Sequence, residues 1–303
     1  MQNYRSLPFA VYDLAFYLPG GALLLMLGQY TLASSFSFSA IPDLEFLKIE
    51  GFDTLNSFVV GVLLLSASYL AGHLGAFFST YVIERFVHNA LGFPSEIWWE
   101  ADQIDVRGRA RSDKIRRIFS DKIADYNWCF PSVMVGLAQL PLTFHFVIFR
   151  LFLPVGFYMP ALPVGLLTDV RLAFEKVGSS IEVGRDTRWE KVVEHYVANN
   201  CPTAYVRMYN YLVIYGALRL LAFILLGCCW VILFKSIYSY LYFPFVWEWS
   251  PRRIFLLGVL STSAFFAMMA FAKFNRRYFE EALLALLYAP PLESKPTTTP
   301  ATT

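Results

Sequence analysis

The stretch that most constrains the fold of this chain runs from Arg207 to Lys235 and reads RMYNYLVIYGALRLLAFILLGCCWVILFK. Between Tyr211 and Phe234 the only charged residue is Arg219. About 20 helical residues are enough to cross a hydrocarbon core that is about 30 Å thick. Residues 211–234 therefore predict a transmembrane helix, and the chain is expected to be a membrane protein.

The composition of the whole chain agrees with this prediction. Apolar residues make up 57% and charged residues 16% of the sequence, whereas soluble domains carry about 25% charged residues. The net charge of +2 excludes a general electrostatic attraction to nucleic acid, so any such binding needs a local basic patch. The four cysteines have no spacing typical of a disulfide framework. We expect no cleavable signal peptide, because the first apolar run lacks a basic segment before it.

We predict four principal spans, at residues 14–32, 57–83, 211–234 and 254–272. The loop between the first two contains one basic residue, whereas eight Lys or Arg residues lie between positions 85 and 122. Because basic residues are retained on the cytoplasmic side, both termini and residues 84–209 are expected in the cytoplasm.

These boundaries predict an all-α polytopic fold made of two transmembrane hairpins that flank a helical cytoplasmic domain. The N-terminal hairpin covers residues 1–83 and the cytoplasmic domain residues 84–209. The C-terminal hairpin, residues 210–288, includes a short amphipathic helix after the last span. Residues 289–303 are rich in Pro and Thr, which is typical of a disordered tail.

The apolar segment 126–168 has two interpretations. It is interrupted by five prolines, at positions 131, 141, 154, 160 and 163, and by Arg150. Two further spans would preserve the orientation of the rest of the chain. Broken or interfacial helices that dip into the membrane suit the prolines better, and are allowed where protein covers the backbone.

Three groups in the spans are candidates for packing or function. Ala71, Gly72 and Gly75 lie on a small-residue face of the second span, which predicts a close helix–helix contact. Asp13 and Arg219 both lie near the inner end of their spans, where an ion pair would offset the cost of each charge, as a structural clamp or as a gate. His73 lies in mid-span, where an ionisable group indicates function by default.

A basic run of sequence RGRARSDKIRR covers residues 107–117. One interpretation is a solvated face or a contact with anionic lipid. The other is a binding patch for the phosphates of a nucleotide or oligonucleotide, since Arg matches phosphate geometry. The candidate ligand-binding residues are Arg107, Arg109, Arg111, Lys114, Arg116 and Arg117.

The usual catalytic and cofactor motifs are missing from the sequence. There is no nucleophile elbow, no HExxH, no P-loop and no dinucleotide-binding glycine pattern. His88, His145 and His195 are scattered, and His195 with Cys201 lacks the second half of a zinc site. We therefore expect no enzyme activity, no metal and no cofactor.

The layout of the chain resembles that of membrane effectors of bacterial anti-phage defence, such as the Hailong-type channel-like effector. The resemblance rests on the opening YDLAFYLPGGALLL, the small-residue second span, the inside domain and RMYNYLVIYGALRLLAFILL. It implies a homo-oligomeric channel of the bacterial inner membrane, controlled by a cytosolic nucleotide or oligonucleotide and served by a soluble partner enzyme. The alternative is a non-conducting accessory or assembly subunit of a membrane complex.

Overall fold

The computed structural model describes residues 9–36, 53–91, 130–152, 164–177, 189–242 and 251–288. These residues form helices and turns and contain no strand, which confirms the all-α prediction for this part of the chain. The α-helices are α1 (Phe9–Phe36), α2 (Asp53–Ser79), α3 (Arg85–Leu91), α4 (Phe130–Ala138), α5 (Thr143–Phe152), α6 (Val164–Val177), α7 (Trp189–Asn200), α8 (Pro202–Tyr242) and α9 (Pro251–Leu287).

Three of these helical stretches are long and apolar enough to cross a membrane. They are Phe58–His88, Pro202–Tyr238 and Pro251–Tyr288, and each contains one predicted span or nearly all of it. The apolar stretch identified within α1, Phe16–Gln29, is shorter. Helix α1 itself continues through Pro19 without interruption.

Helices α2 and α3 are joined by a π-helical turn, Thr80–Glu84. The Arg85 N–H donates to the carbonyl of Thr80, five residues earlier. Short π-helical turns are rare and are found frequently at functional sites. Because the three elements are continuous, the helix runs past the predicted end of the second span at residue 83.

Helices α4 and α5 are separated by a break at Gln139–Leu142, where Pro141 lies in a 3₁₀ turn. Gln139 Nε2 donates to the carbonyl of Val82 at 2.7 Å, and Trp230 Nε1 donates to the carbonyl of Ala138 at 2.8 Å. The Gln139 amide nitrogen and the Ala138 carbonyl therefore find partners on the long helices, whereas Gln139 Oε1 is buried without a partner among the described residues. The break packs against residues that belong to the predicted spans.

The buried side chains form two clusters. The first, which we name the central core, joins α8 and α9 to the π-helical turn, to α3 and to the break. Its members are Ile83, Val87, Leu142, Ala222, Leu226, Ala264, Phe265, Ala267, Met268, Phe271 and Ala272. The second, the inner core, joins α6 and α7 to the facing ends of α8 and α9. Its members are Val170, Phe174, Val193, Tyr196, Val197, Ala204, Met208, Tyr278, Ala282, Leu283, Ala285 and Leu286.

Helix α1 lies against α2 at very close range. A Cβ atom added at Gly21 would overlap the backbone carbonyl of Ser68, and one added at Gly72 would overlap the carbonyl of Tyr17. The buried Leu220 side chain of α8 lies where Cβ atoms at Gly20 and Gly75 would be. Glycine at these positions is what permits three helices to meet, as small residues do in membrane helix contacts.

Candidate functional site

Residues next to the predicted inner ends of three spans line one cavity of about 210 Å³. Glu84 and His88 come from the π-helical turn and α3, Leu212 from α8, and Asn275 from α9. These positions are far apart in sequence, and each lies within one of the three long apolar helical stretches. The further lining residues, from α7, α8 and α9, are Lys191, Val193, Glu194, Tyr215, Tyr278, Phe279, Ala282 and Leu283.

An ion pair connects α8 to the π-helical turn beside this cavity. Arg219 Nη1 donates to Glu84 Oε2. The two side chains are only 15% and 23% exposed, so each charge offsets the cost of burying the other. The pair therefore connects α8 to the helix that begins as α2.

Arg219 has N–H donors that this pair does not use. Its Nε is buried and has no hydrogen-bond partner among the described residues. Asp13, the predicted partner, lies on α1, but its side chain is outside the part of the chain described at atomic detail. The Asp13–Arg219 pair stays a prediction, and the partner that the structure gives to Arg219 is Glu84.

A hydrogen bond between α3 and α9 closes another side of the cavity. Asn275 Nδ2 lies 2.9 Å from His88 Nε2, and both side chains are buried. The amide nitrogen is a donor, so Nε2 accepts and carries no proton in this arrangement. We use the name polar cluster for Glu84, His88, Arg219 and Asn275.

The cavity wall from α7 carries a second charged pair. Lys191 Nζ lies 3.2 Å from Glu194 Oε2, and the Lys191 side chain is 81% exposed. The buried Tyr278 lines the same cavity as Glu194. The described partner of the Glu194 carboxylate is therefore an exposed lysine, and the buried Tyr278 lies beside it in the cavity wall.

His73 lies between two tyrosine rings. Its ring centroid is 4.0 Å from that of Tyr17 in a stacked arrangement and 4.5 Å from that of Tyr69 in an edge arrangement. Tyr17 is also the residue whose carbonyl faces Gly72. These contacts give His73 a packing role at the α1–α2 contact.

The other predicted packing residues lie on the same helix. Gly72 faces the backbone of α1, and Gly75 faces the Leu24 and Leu220 side chains. Ala71 is partly buried. The candidate basic run, residues 107–117, lies outside the described residues, and so does the predicted tail, residues 289–303.

No group of three or more His, Cys, Asp or Glu residues that could hold a metal occurs in the part of the chain described here. His195 is exposed, whereas the Cys201 thiol donates to the carbonyl of Ala285 at 3.8 Å. Burial raises the pKa of Cys201, which disfavours the thiolate that metal binding or nucleophilic attack would need. His145 bonds through Nε2 to Thr262 Oγ1 at 3.0 Å.

Sequence reasoning missed Glu84, His88 and Asn275 as site residues. Glu84 follows the second predicted span directly, and Asn275 follows the fourth within three residues. A polar residue at the end of a span usually marks only where the span ends. Which residue it contacts on a neighbouring helix depends on how the two helices are aligned. The sequence signal that could have indicated this site is the presence of polar residues at the predicted inner ends of three spans.

Comparisons with protein-family models, with curated proteins and with solved structures found no match to this chain. The contacts described above are therefore the basis for inferring what the protein does.

Proposed function

We propose that this chain is a homo-oligomeric, channel-like effector of the bacterial inner membrane. It would have four principal spans and both termini in the cytoplasm. Its cytoplasmic region would respond to an anionic signal, a nucleotide or oligonucleotide made by a soluble partner enzyme. The polar cluster at the inner ends of the spans would act as the gate.

The observation that carries this proposal is the half-buried pair between Arg219 and Glu84. Ionisable residues within spans are costly and typically mark ion or substrate pathways. Each partner belongs to a different long helix, and the pair adjoins a cavity that both helices line. Breaking the pair would free the helices to separate at that point, which is what a gate requires.

Two further features support the architecture of this proposal. Helix α1 has 28 residues, about 42 Å of α-helix, so it is long enough to act as the fourth span while packed along α2. Helix α2 exposes many large apolar side chains, among them Phe58, Leu64 and Leu70. Such a surface suits contact with lipid and with a second copy of the chain.

The sensor in this proposal is the basic run at residues 107–117. Lys and Arg side chains that contact phosphates add affinity that is independent of sequence and falls steeply with salt. A ligand shifts a closed–open equilibrium only by its differential affinity for the two states. The signal would therefore have to bind the run more tightly in the open state.

The orientation is testable by reporter fusions. Fusions at Glu50 and Trp249 should report the outer side, and fusions at Asp113 and Thr303 the cytoplasm. This follows from the excess of basic residues after the second span. An outer-side signal from the Asp113 fusion would overturn the orientation.

The function is testable by ion flux in proteoliposomes. Wild-type protein is compared with a variant in which Arg109, Arg111, Arg116 and Arg117 are all Ala, with a panel of cyclic nucleotides and short oligoribonucleotides added. We expect a member of the panel to change wild-type flux, and the variant to insert normally but lose that response. If correctly assembled wild-type protein shows no flux under any condition, the accessory-subunit alternative replaces the channel.

Particle symmetry in detergent gives an independent check, since a closed ring around a central axis favours the channel.

A further inference from the structure

The cavity beside the polar cluster is too small for the nucleotide signal considered above. Its volume is about 210 Å³, whereas pockets for drug-sized ligands occupy about 300–1,000 Å³. A ligand that fits it has the size of a single lipid headgroup or a small metabolite. The cavity therefore calls for a smaller ligand than the nucleotide signal.

Aromatic rings form one side of this cavity. The ring centroids of Tyr215 and Tyr278 are 6.1 Å apart at an interplanar angle of 75°, and those of Tyr278 and Phe279 are 5.3 Å apart at 84°. Successive rings stand nearly perpendicular, so they form a corner and not a flat stack. Faces of aromatic rings attract cations, and cages of such rings bind quaternary ammonium groups.

The same cavity contains two carboxylates, Glu84 and Glu194. Glu84 is already paired with the half-buried Arg219. Glu194 is paired with Lys191, whose side chain is 81% exposed, and an exposed pair is worth at most about 1 kcal/mol. A cation that enters the cavity can thus replace Lys191 on Glu194 at small cost.

The remaining polar groups of the wall do not oppose a cation. Asn275 donates to His88 Nε2, so this pair places no proton on that nitrogen. Tyr278 and Glu194 line the same cavity, so the carboxylate and the aromatic rings belong to one wall. The wall thus combines a carboxylate whose pair with Lys191 is exposed with adjoining aromatic rings.

From this combination we propose that the cavity binds an organic ammonium group, with Glu194 as its counter-ion and Tyr215, Tyr278 and Phe279 as its ring walls. The group can come from an aminophospholipid headgroup at the membrane surface or from a free amine in the cytoplasm. Both sources present the same chemistry to the cavity. The binding does not depend on ion conduction, so the binding experiment and the flux experiment can fail independently.

The test uses the full chain purified in detergent, with ethanolamine and tetramethylammonium chloride as probes in saturation-transfer NMR. We expect both probes to bind. Glu194→Gln should weaken binding roughly tenfold, the equivalent of one lost charge contact of about 1.4 kcal/mol. Tyr278→Leu should weaken binding of tetramethylammonium by a similar factor, whereas Tyr278→Phe keeps the ring and should retain most of it.

Glu281→Gln is the matched control, because Glu281 pairs with Arg207 at 2.8 Å and does not line the cavity. The affinity of the Glu281→Gln variant for both probes should equal that of the wild type. Each variant is first shown to be monodisperse by size-exclusion chromatography. Wild-type-like affinity in Glu194→Gln would overturn the assignment of the counter-ion.

Native mass spectrometry separates the two sources of the ammonium group. Selective retention of phosphatidylethanolamine over phosphatidylglycerol, lost in Glu194→Gln, would assign the cavity to a lipid headgroup. Binding of the free probes without such retention would assign it to a soluble amine. If folded wild-type protein binds neither probe and retains neither lipid selectively, the proposal is wrong.

Discussion

The continuous helix formed by α2, the π-helical turn and α3 contacts its two neighbours in physically different ways. Against α1 the contact is between backbones, at Gly21 and Gly72, with no room for a Cβ atom. Against α8 it includes an ion pair between Glu84 and Arg219. Backbones this close admit one arrangement, whereas an ion pair can break and form again. We therefore expect α1 and α2 to behave as a fixed unit and, under the proposed gating, movement to be concentrated at the α8 contact.

The largest effect is expected at the fixed contact. Gly72→Leu places a side chain against the backbone of Tyr17, which cannot move away as a side chain would. The cost should exceed the roughly 1–3 kcal/mol typical of overpacking in a core, and we expect loss of folded, assembled protein. Size-exclusion chromatography after detergent extraction measures this.

Leu63→Ile is the matched control for that substitution. Leu63 is 48% exposed on the same helix, so its replacement should be tolerated. Equal recovery of the two variants would contradict the claim that backbone proximity fixes this contact.

A smaller effect is expected at the ion pair. Arg219→Ala leaves Glu84 without its partner in a half-buried position, which should cost about 3 kcal/mol, the lower end of the range for buried pairs. Adding Glu84→Gln should recover part of this loss, because the two residues are coupled. Thermal unfolding of both single variants and the double variant measures the coupling, and strictly additive effects would show that the pair does not hold the helices together.

The smallest of the three effects is expected at the break between α4 and α5. Gln139→Leu removes the donor to the Val82 carbonyl, and a buried group left without its partner costs about 1–3 kcal/mol. Because Val82 lies in the π-helical turn, the variant should also loosen that turn. Hydrogen exchange of residues 80–88 measures this, with Gln29→Leu, at an exposed site on α1, as the control that should leave exchange unchanged.

Much of the helical framework follows from hydropathy alone. The predicted spans 57–83, 211–234 and 254–272 lie in or almost entirely in helices that can cross a membrane. The helices extend further, because Pro202 suits the first turn of α8 and because the inner core buries the extended part of α9. Hydropathy predicts the part of a helix that contacts lipid. It does not predict how far the helix extends where it packs against other parts of the protein.

The site depends on information that a single sequence lacks. The Asp13–Arg219 pair is a prediction from the position of both residues near the inner ends of predicted spans, whereas the partner that the structure gives to Arg219 is Glu84, from the helix that begins as α2. The register between α2 and α8 decides this choice, and that register is set by Leu220 against Gly75. Likewise, the prolines in 126–168 predicted breaks, but the partners of the break at Pro141 became apparent only from the packing.

The central claim is that the Glu84–Arg219 pair keeps the channel closed. The most direct test is to measure ion flux through the protein in ligand-free proteoliposomes. Wild-type protein should give low flux, and Glu84→Gln, which keeps the side-chain shape but removes the charge, should raise it at least roughly tenfold, the factor for loss of about 1.4 kcal/mol of closed-state stabilisation. The exchanged pair, Glu84→Arg with Arg219→Glu, should return flux toward the wild-type level. If all three proteins are assembled and conduct alike, or none conducts, this contact is not a gate.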